Sequence, residues 1–261
     1  MGSATSQARA GIDEALRAQP QAGLEDAREL FQASRAIERS SQVLASLGDP
    51  VSTPDARAAL AHRVLGQLGA PARSIVAHLA RQRWSDAADI LSAIDGAGIR
   101  VAVRAAGDAD VAGEIASFQR IVASDAELEL ALGGLRGTAD EKARLVQQLL
   151  ADKSSEPAAV ILDHLVRAPR GRRIGAMLRS AAAEVAAAAG RSLATVTTAR
   201  EISASQLDRL RAGLERQYGR TLQLQQIVDP AVLGGLRVSI GDDIIDGTVR
   251  SKFTDLRLKL G

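Results

Sequence analysis

Two stretches of this chain repeat each other at a fixed offset, which restricts it to folds built by stacking copies of one unit. Leu47-Gly48, Thr53, Asp55, Ala58, Leu60 and Leu65 recur 85 residues later as Leu132-Gly133, Thr138, Asp140, Ala143, Leu145 and Leu150. After a one-residue slip, Pro71-Ala72, Ile75, His78, Leu79 and Arg81 recur as Pro157-Ala158, Ile161, His164, Leu165 and Arg167. Phe31 and Phe118 stand upstream of the two copies at nearly the same distance. The repeats span about 31–91 and 118–177.

Each copy reads as helix, turn, helix, turn, helix. Thr53-Pro54-Asp55 is a helix start, with proline where its missing N–H does no harm. Leu60, Val64, Leu65 and Leu68 form one apolar face, and Gly69 and Pro71 are expected to end that helix. The next carries Ile75, Val76 and Leu79. In the second copy Thr138 and Glu141 form a capping box ahead of Leu145, Val146, Leu149 and Leu150. Glu156-Pro157 opens the following helix, with Ile161, Leu162 and Leu165. Ala and Leu dominate and aromatic residues are 2% of the chain, so close helix packing through small side chains is expected.

The pattern changes near Gly190. Ile174 to Ala189 is an Ala-rich helix, whereas Leu193 to Thr198 is rich in Thr and Val, as strands are. Ser203 to Gln206 is a capping box, and Leu207, Leu210 and Leu214 line one face of the helix it opens. Thr221 to Val228 is a second strand, broken by Asp229-Pro230. Gly234-Gly235 is a permissive turn. Leu236, Val238 and Ile240 then alternate with Arg237 and Ser239, the period of a half-buried strand. Gly241-Asp242 is a hairpin turn, Ile244-Ile245 begins the return strand, and Asp246 stands at the expected entry of a last helix. Val249, Phe253, Leu256 and Leu260 give that helix one apolar face. The expected fold is mainly α: a helical bundle with a duplicated repeat over 1–189, followed by a small α/β domain over 190–261.

Charge and chemistry narrow the function. The pI of 9.4 reflects an excess of only two positive charges, with no Cys and three His to titrate in between. A nucleic-acid footprint needs a clustered patch. Arg167, Arg170, Arg172 and Arg173 are the densest cluster, with no interleaved aromatics on which bases would stack. The absence of Cys excludes disulfides and thiolate chemistry. No run approaches the ~20 apolar residues needed to span a bilayer, and no apolar core follows Arg9 to make a secretory signal. His78 and His164 occupy equivalent places in the repeats, which favours a structural role over a metal site. Gly133-Gly134 and Gly137 lack the Gly-Lys-Ser/Thr ending of a phosphate loop and read as a turn. Asp242, Asp243 and Asp246 sit where turns and helix entries favour Asp. Trp84, the sole Trp, fits either a core position or a partner anchor. No catalytic residue, cofactor or metal is expected. From the residues alone the chain is a binding or scaffold protein.

The ordered tail Asp229-Pro230, Leu233-Gly234-Gly235, Ile240-Gly241-Asp242 and Asp246-Gly247-Thr248 resembles the C-terminal signature of the delta subunit of F-type ATP synthase, the oligomycin-sensitivity-conferring protein family. The whole chain resembles the long actinobacterial type, which carries an extra helical repeat and in some relatives is fused behind a membrane-anchored b segment. The resemblance implies a non-catalytic stator in the peripheral stalk, on the cytoplasmic face of the bacterial plasma membrane. Its bundle is expected to hold N-terminal helices of the alpha subunits through Ile12, Ala15, Leu16, Ile75, Leu79, Ile161 and Leu165. Its C-terminal domain is expected to bind the end of the b subunit, with Gly234, Gly235, Gly241, Asp242 and Asp246 as turn or contact residues. Neither nucleic acid nor direct membrane contact is implied. The rival reading is a helical-repeat adaptor that binds nucleic acid or acidic partners through its arginine clusters.

Overall fold

The computed structural model describes residues 3–134, 137–151, 153–190, 192–218, 221–230, 232, 234–240 and 243–246. The chain divides into two compact units, 1–178 and 179–261. The expected boundary at Gly190 lies twelve residues beyond Leu178, past the end of the helix in which the division falls.

The first unit is helical throughout, and its element order exposes the duplication. α1 (Ser3–Arg17) is followed by α2 (Leu24–Glu38), α3 (Ser41–Gly48), α4 (Pro54–Val64) and α5 (Ala70–Arg81). α6 (Asp89–Ala105) is followed in the same rhythm by α7 (Val111–Ser124), α8 (Ala126–Gly133), α9 (Ala139–Leu150) and α10 (Glu156–Arg167). α11 (Ile174–Ala188) comes next. α1 packs on α5 and α6, and α6 packs in turn on α10. α6 therefore serves twice, closing the first five-helix set and opening the second.

The sequence of α6 explains how one helix fills both roles. Ile90, Leu91, Ile94, Ile99 and Val101 are buried, and so are Ala93, Gly96, Ala97, Gly98 and Ala102 between them. A helix apolar nearly all round is a central helix. Gly98 lets another helix come close: a Cβ there would lie 2.5 Å from Cε1 of Phe31.

The helix starts follow from their caps. Thr53 Oγ1 accepts from Ala56 N at 3.2 Å and Thr138 Oγ1 from Glu141 N at 3.2 Å. Glu141 Oε2 accepts from Thr138 N at 2.7 Å, completing the expected capping box. Ser155 Oγ accepts from Ala158 N at 3.4 Å ahead of Pro157. Pro71 differs from expectation: it lies in the first turn of α5, capped by Gly69, rather than ending α4.

The second unit contains a four-stranded sheet. β1 (Ser192–Thr198) leads through α12 (Ala204–Tyr218) to β2 (Leu222–Val228), which lies parallel to it, as a crossover helix requires. β3 (Leu236–Ile240) pairs antiparallel with β1, and β4 (Asp243–Asp246) with β3, giving the order β2-β1-β3-β4. Ala194, Val196, Leu222, Val238 and Ile240 form the core with Leu214 of α12, flanked by Leu210 and Tyr218. The predicted alternation in β3 holds: Val238 and Ile240 are buried and Arg237 is exposed. Ser203 caps α12 as read, with Ser203 N donating to Gln206 Oε1 at 2.9 Å. The expected final helix lies outside the described residues.

Candidate functional site at the junction of the repeats

The two repeats share polar clamps as well as apolar positions. Glu29 on α2 accepts from Gly69 N at 2.8 Å, and Glu114 on α7 accepts from Ser155 N at 2.7 Å. Each acid thus satisfies a free N–H at the start of the fifth helix of its repeat, the end that favours negative charge. Asp55 pairs with Arg81 at 3.2 Å, and Asp140 pairs with Arg167. Arg57 Nη1 donates to Asp49 O at 2.8 Å, and Lys142 Nζ donates to Gly134 O at 2.6 Å. Arg57 goes further. It is 3% exposed and also donates to the carbonyls of Ser52, Ala80, Arg81 and Gln82. It thereby binds unpaired carbonyls at the end of α5, which otherwise have no helical partner.

The repeats meet around His164. Its ring stacks on Phe31 with centroids 4.2 Å apart and planes 8° from parallel. Phe31 is on α2 and His164 on α10, so the stack joins one repeat to the other. His164 Nδ1 lies 3.0 Å from Arg35 Nη1, and Nε2 lies 2.9 Å from Asp95 Oδ1. A guanidinium has no acceptor, so Nδ1 accepts and the ring hydrogen on Nε2 is donated to Asp95. Arg170, in the loop after α10, binds the other Asp95 oxygen. It also donates to Ser34 Oγ at 2.7 Å and pairs with Glu38 at 3.2 Å. Asp95 on α6 is thus gripped from two directions, and Arg170 ties α6 to α2.

These charges hold one another in place. Burial works against ionised Asp95, but His164 and Arg170 outweigh it and keep its carboxyl well below the usual carboxylate range. Burial likewise works against Arg170, and Asp95 and Glu38 outweigh it, raising its affinity for the proton. Arg170 adopts φ 47°, an uncommon conformation for a non-glycine residue, and Gly171 follows at φ 71°.

The histidines are equivalent in sequence and different in setting. His78 on α5 faces Glu14 of α1 at 3.7 Å and stays partly exposed. His164 faces α6 in the matching way but is also covered by α2 of the other repeat, leaving 2% exposed. The duplication itself creates the buried site, because only the second copy has a preceding copy against it.

The apolar residues expected to grip a partner helix are in the core. Ile12, Ala15 and Leu16 are 3%, 1% and 8% exposed, Ile75 and Leu79 are fully buried, and Ile161 and Leu165 are 0% and 4% exposed. They sit on α1, α5 and α10, where α1 packs on α5 and α6 on α10. Gly234 and Gly235 adopt φ 116° and 80°, the permissive backbone read from sequence. Gly241 and Asp242 lie outside the described residues. Asp246 is the last residue of β4, opposite Arg237 in register. Trp84 is a core residue, 7% exposed, with Nε1 donating to Leu79 O at 3.1 Å. Gly134 and Gly137 lie between α8 and α9, with no strand before them.

Two of the four arginines in the basic cluster are held by acids. Arg167 pairs with Asp140 and Asp163, Arg170 with Asp95 and Glu38, and Arg172 Nε donates to Pro169 O at 3.2 Å. Arginines held by acids have little positive field left for a phosphate backbone. The adaptor reading therefore loses two of the four arginines that suggested it, Arg167 and Arg170. Among the described residues no helix is long and apolar enough to cross a membrane.

Residues 97–260 match the family described as ATP synthase delta (OSCP) subunit. The match begins within α6, so it takes in the second repeat and the C-terminal unit. An ATP synthase subunit delta of Leifsonia xyli subsp. xyli is 44% identical, covering 100% of this chain and 99% of that one. One from Streptomyces griseus subsp. griseus is 37% identical, with 88% and 86% covered. One from Pseudarthrobacter chlorophenolicus is 32% identical, with 100% and 99% covered. With a family match over more than half its length and such relatives along all of it, the chain belongs to the ATP synthase delta (OSCP) family and is a peripheral-stalk subunit of ATP synthase.

Proposed function

We propose that this chain is the non-catalytic link between the alpha/beta head and the b stalk, holding the head still while the rotor turns. The helical unit takes N-terminal helices of alpha subunits, and the C-terminal unit takes the end of b. The chain is peripheral, on the cytoplasmic face of the bacterial plasma membrane, and reaches the membrane through the complex. The observation that carries this reading is the family match over 97–260, which includes residues of both units.

That the match starts in α6 supports a binding role for the second repeat, with α1–α5 extending it. Helix-in-groove recognition uses an apolar stripe on the incoming helix. Since Ile161 and Leu165 are buried, an alpha helix docking on the second repeat meets residues other than these. The ion-paired junction around Asp95 suits a part under load, because the repeats cannot slide without breaking buried pairs.

Calorimetry tests this reading. A peptide of the alpha N-terminal helix and the soluble C-terminal half of b should each bind the full chain. Removing residues 191–261 should abolish binding of b and spare binding of the peptide. Absence of peptide binding at tens of micromolar, or full affinity for b in the truncated chain, would overturn it.

A further inference from the structure

A cleft of about 470 Å³ opens between α2 and α10, with three arginines and two acids in its lining. Arg28, Arg35 and Arg167 line it together with Glu156 and Asp163. Both acids already have partners: Glu156 pairs with Arg28, and Asp163 pairs with Arg167 at 2.8 Å. Arg28 and Arg167 each have a second acid outside the cleft, Glu25 and Asp140. Arg35 differs. Among the described residues it forms no ion pair, and its one hydrogen bond goes to His164 Nδ1.

A guanidinium offers five donors in a planar fork, so most of those on Arg35 are unused. Burial, the largest influence on this group, lowers its affinity for the proton. Asp163 and Asp95 act on it from beyond contact distance. A cation drawn partly out of water with no acid in contact is unfavourable, and a bidentate oxyanion is the group that best relieves it. The cleft is much larger than one carboxylate, and Ala159 and Val160 give it an apolar wall. We propose that this cleft is a carboxylate-binding site centred on Arg35, taking an organic acid whose apolar portion lies along α10. The acid is either a glutamate or aspartate side chain presented by a partner or a free dicarboxylate of similar size.

The test uses the full chain and two probes, glutarate and a capped hexaglutamate peptide. At least one should bind saturably with one-to-one stoichiometry and raise the melting temperature. Tighter binding of the peptide assigns the site to a partner's side chain, and tighter binding of glutarate assigns it to a free acid. Arg35→Gln should weaken binding at least tenfold and remove the ligand-induced rise in melting temperature. Arg63→Gln, at an exposed position outside the cleft, should change neither. A purely structural Arg35 would shift the melting temperature of the free protein and leave the ligand-induced rise intact. Should Arg35→Gln fail to fold, Arg35→Lys decides: it keeps the charge, loses the fork and should bind several-fold more weakly. Saturation by neither probe, or unchanged binding in the variant that folds, overturns the proposal.

Discussion

Phe31 of the first repeat lies flat on His164 of the second, ring centroids 4.2 Å apart, and the pair marks where the duplicated halves lock. The stack is held from both sides. Gly98 of α6 leaves room for the phenyl ring, and Asp95 of the same helix takes the imidazole hydrogen. One helix thus positions both members of a contact between two others.

Replacing Asp95 with Asn should expose the value of this junction. Arg170 would keep its burial and lose its counter-charge, and His164 would donate its ring hydrogen to a neutral amide in place of a carboxylate. Breaking a buried pair from one side costs about 3–5 kcal/mol. The pH dependence has a definite sign. Asp95 lies below its ordinary value when folded and returns to about 3.9 when unfolded. Its contribution is therefore complete above the unfolded value and is lost as the pH falls toward the folded one. Urea unfolding should show a constant gap between wild type and variant from neutral pH down to about pH 5, narrowing below about pH 4. A gap independent of pH through that acid range would contradict the assignment.

Arg57 should be the costliest single surface-to-core truncation in the first repeat. Arg57→Ala strands carbonyls at the ends of α3 and α5 that its guanidinium now satisfies, and should destabilise by at least about 2 kcal/mol. Arg57→Lys should recover only part of this, because Lys142 at the equivalent position reaches, among the described residues, the Gly134 carbonyl alone. Chemical denaturation of the two variants measures the difference. Equal stability of Ala and Lys would mean that the hydrogen bonds contribute little.

What could be read from sequence followed what has a period or a cap. Helices α4, α5, α9, α10, α11 and α12, the strands of the second unit and the Thr138 and Ser203 caps were legible because each is a local pattern. The seven residues expected to hold a partner helix show the limit. Periodicity finds the apolar face of α1, α5 and α10 but does not tell whether the chain's own helices cover it, and they do. Asp95 and Arg170 were illegible as a pair because they are distant in sequence and meet only through the fold. Arg57 left one faint signal, its place directly before Ala58 on the buried side of its helix. The buried state of His164 was hidden because its equivalence to His78 is true of the repeat and not of the surroundings.

Gly235→Val should act on the C-terminal unit alone. At φ 80° a β-branched side chain is strained, by about 1–3 kcal/mol. A scanning calorimetry trace should show a lowered transition for the unit containing the sheet, with that of the helical unit unchanged. Binding of b should fall in proportion to unfolding. An unchanged trace with b binding lost would make these glycines a contact surface instead of a turn.

Reconstitution tests whether the chain couples the head to the stalk mechanically, without catalysis. Membranes carrying ATP synthase depleted of this subunit should hydrolyse ATP without pumping protons. Adding the purified chain should restore ATP-driven proton uptake, while ATP hydrolysis by the detached alpha/beta head stays unchanged with or without it. Failure to restore proton uptake, or a direct change in the hydrolysis rate of the detached head, would contradict the account.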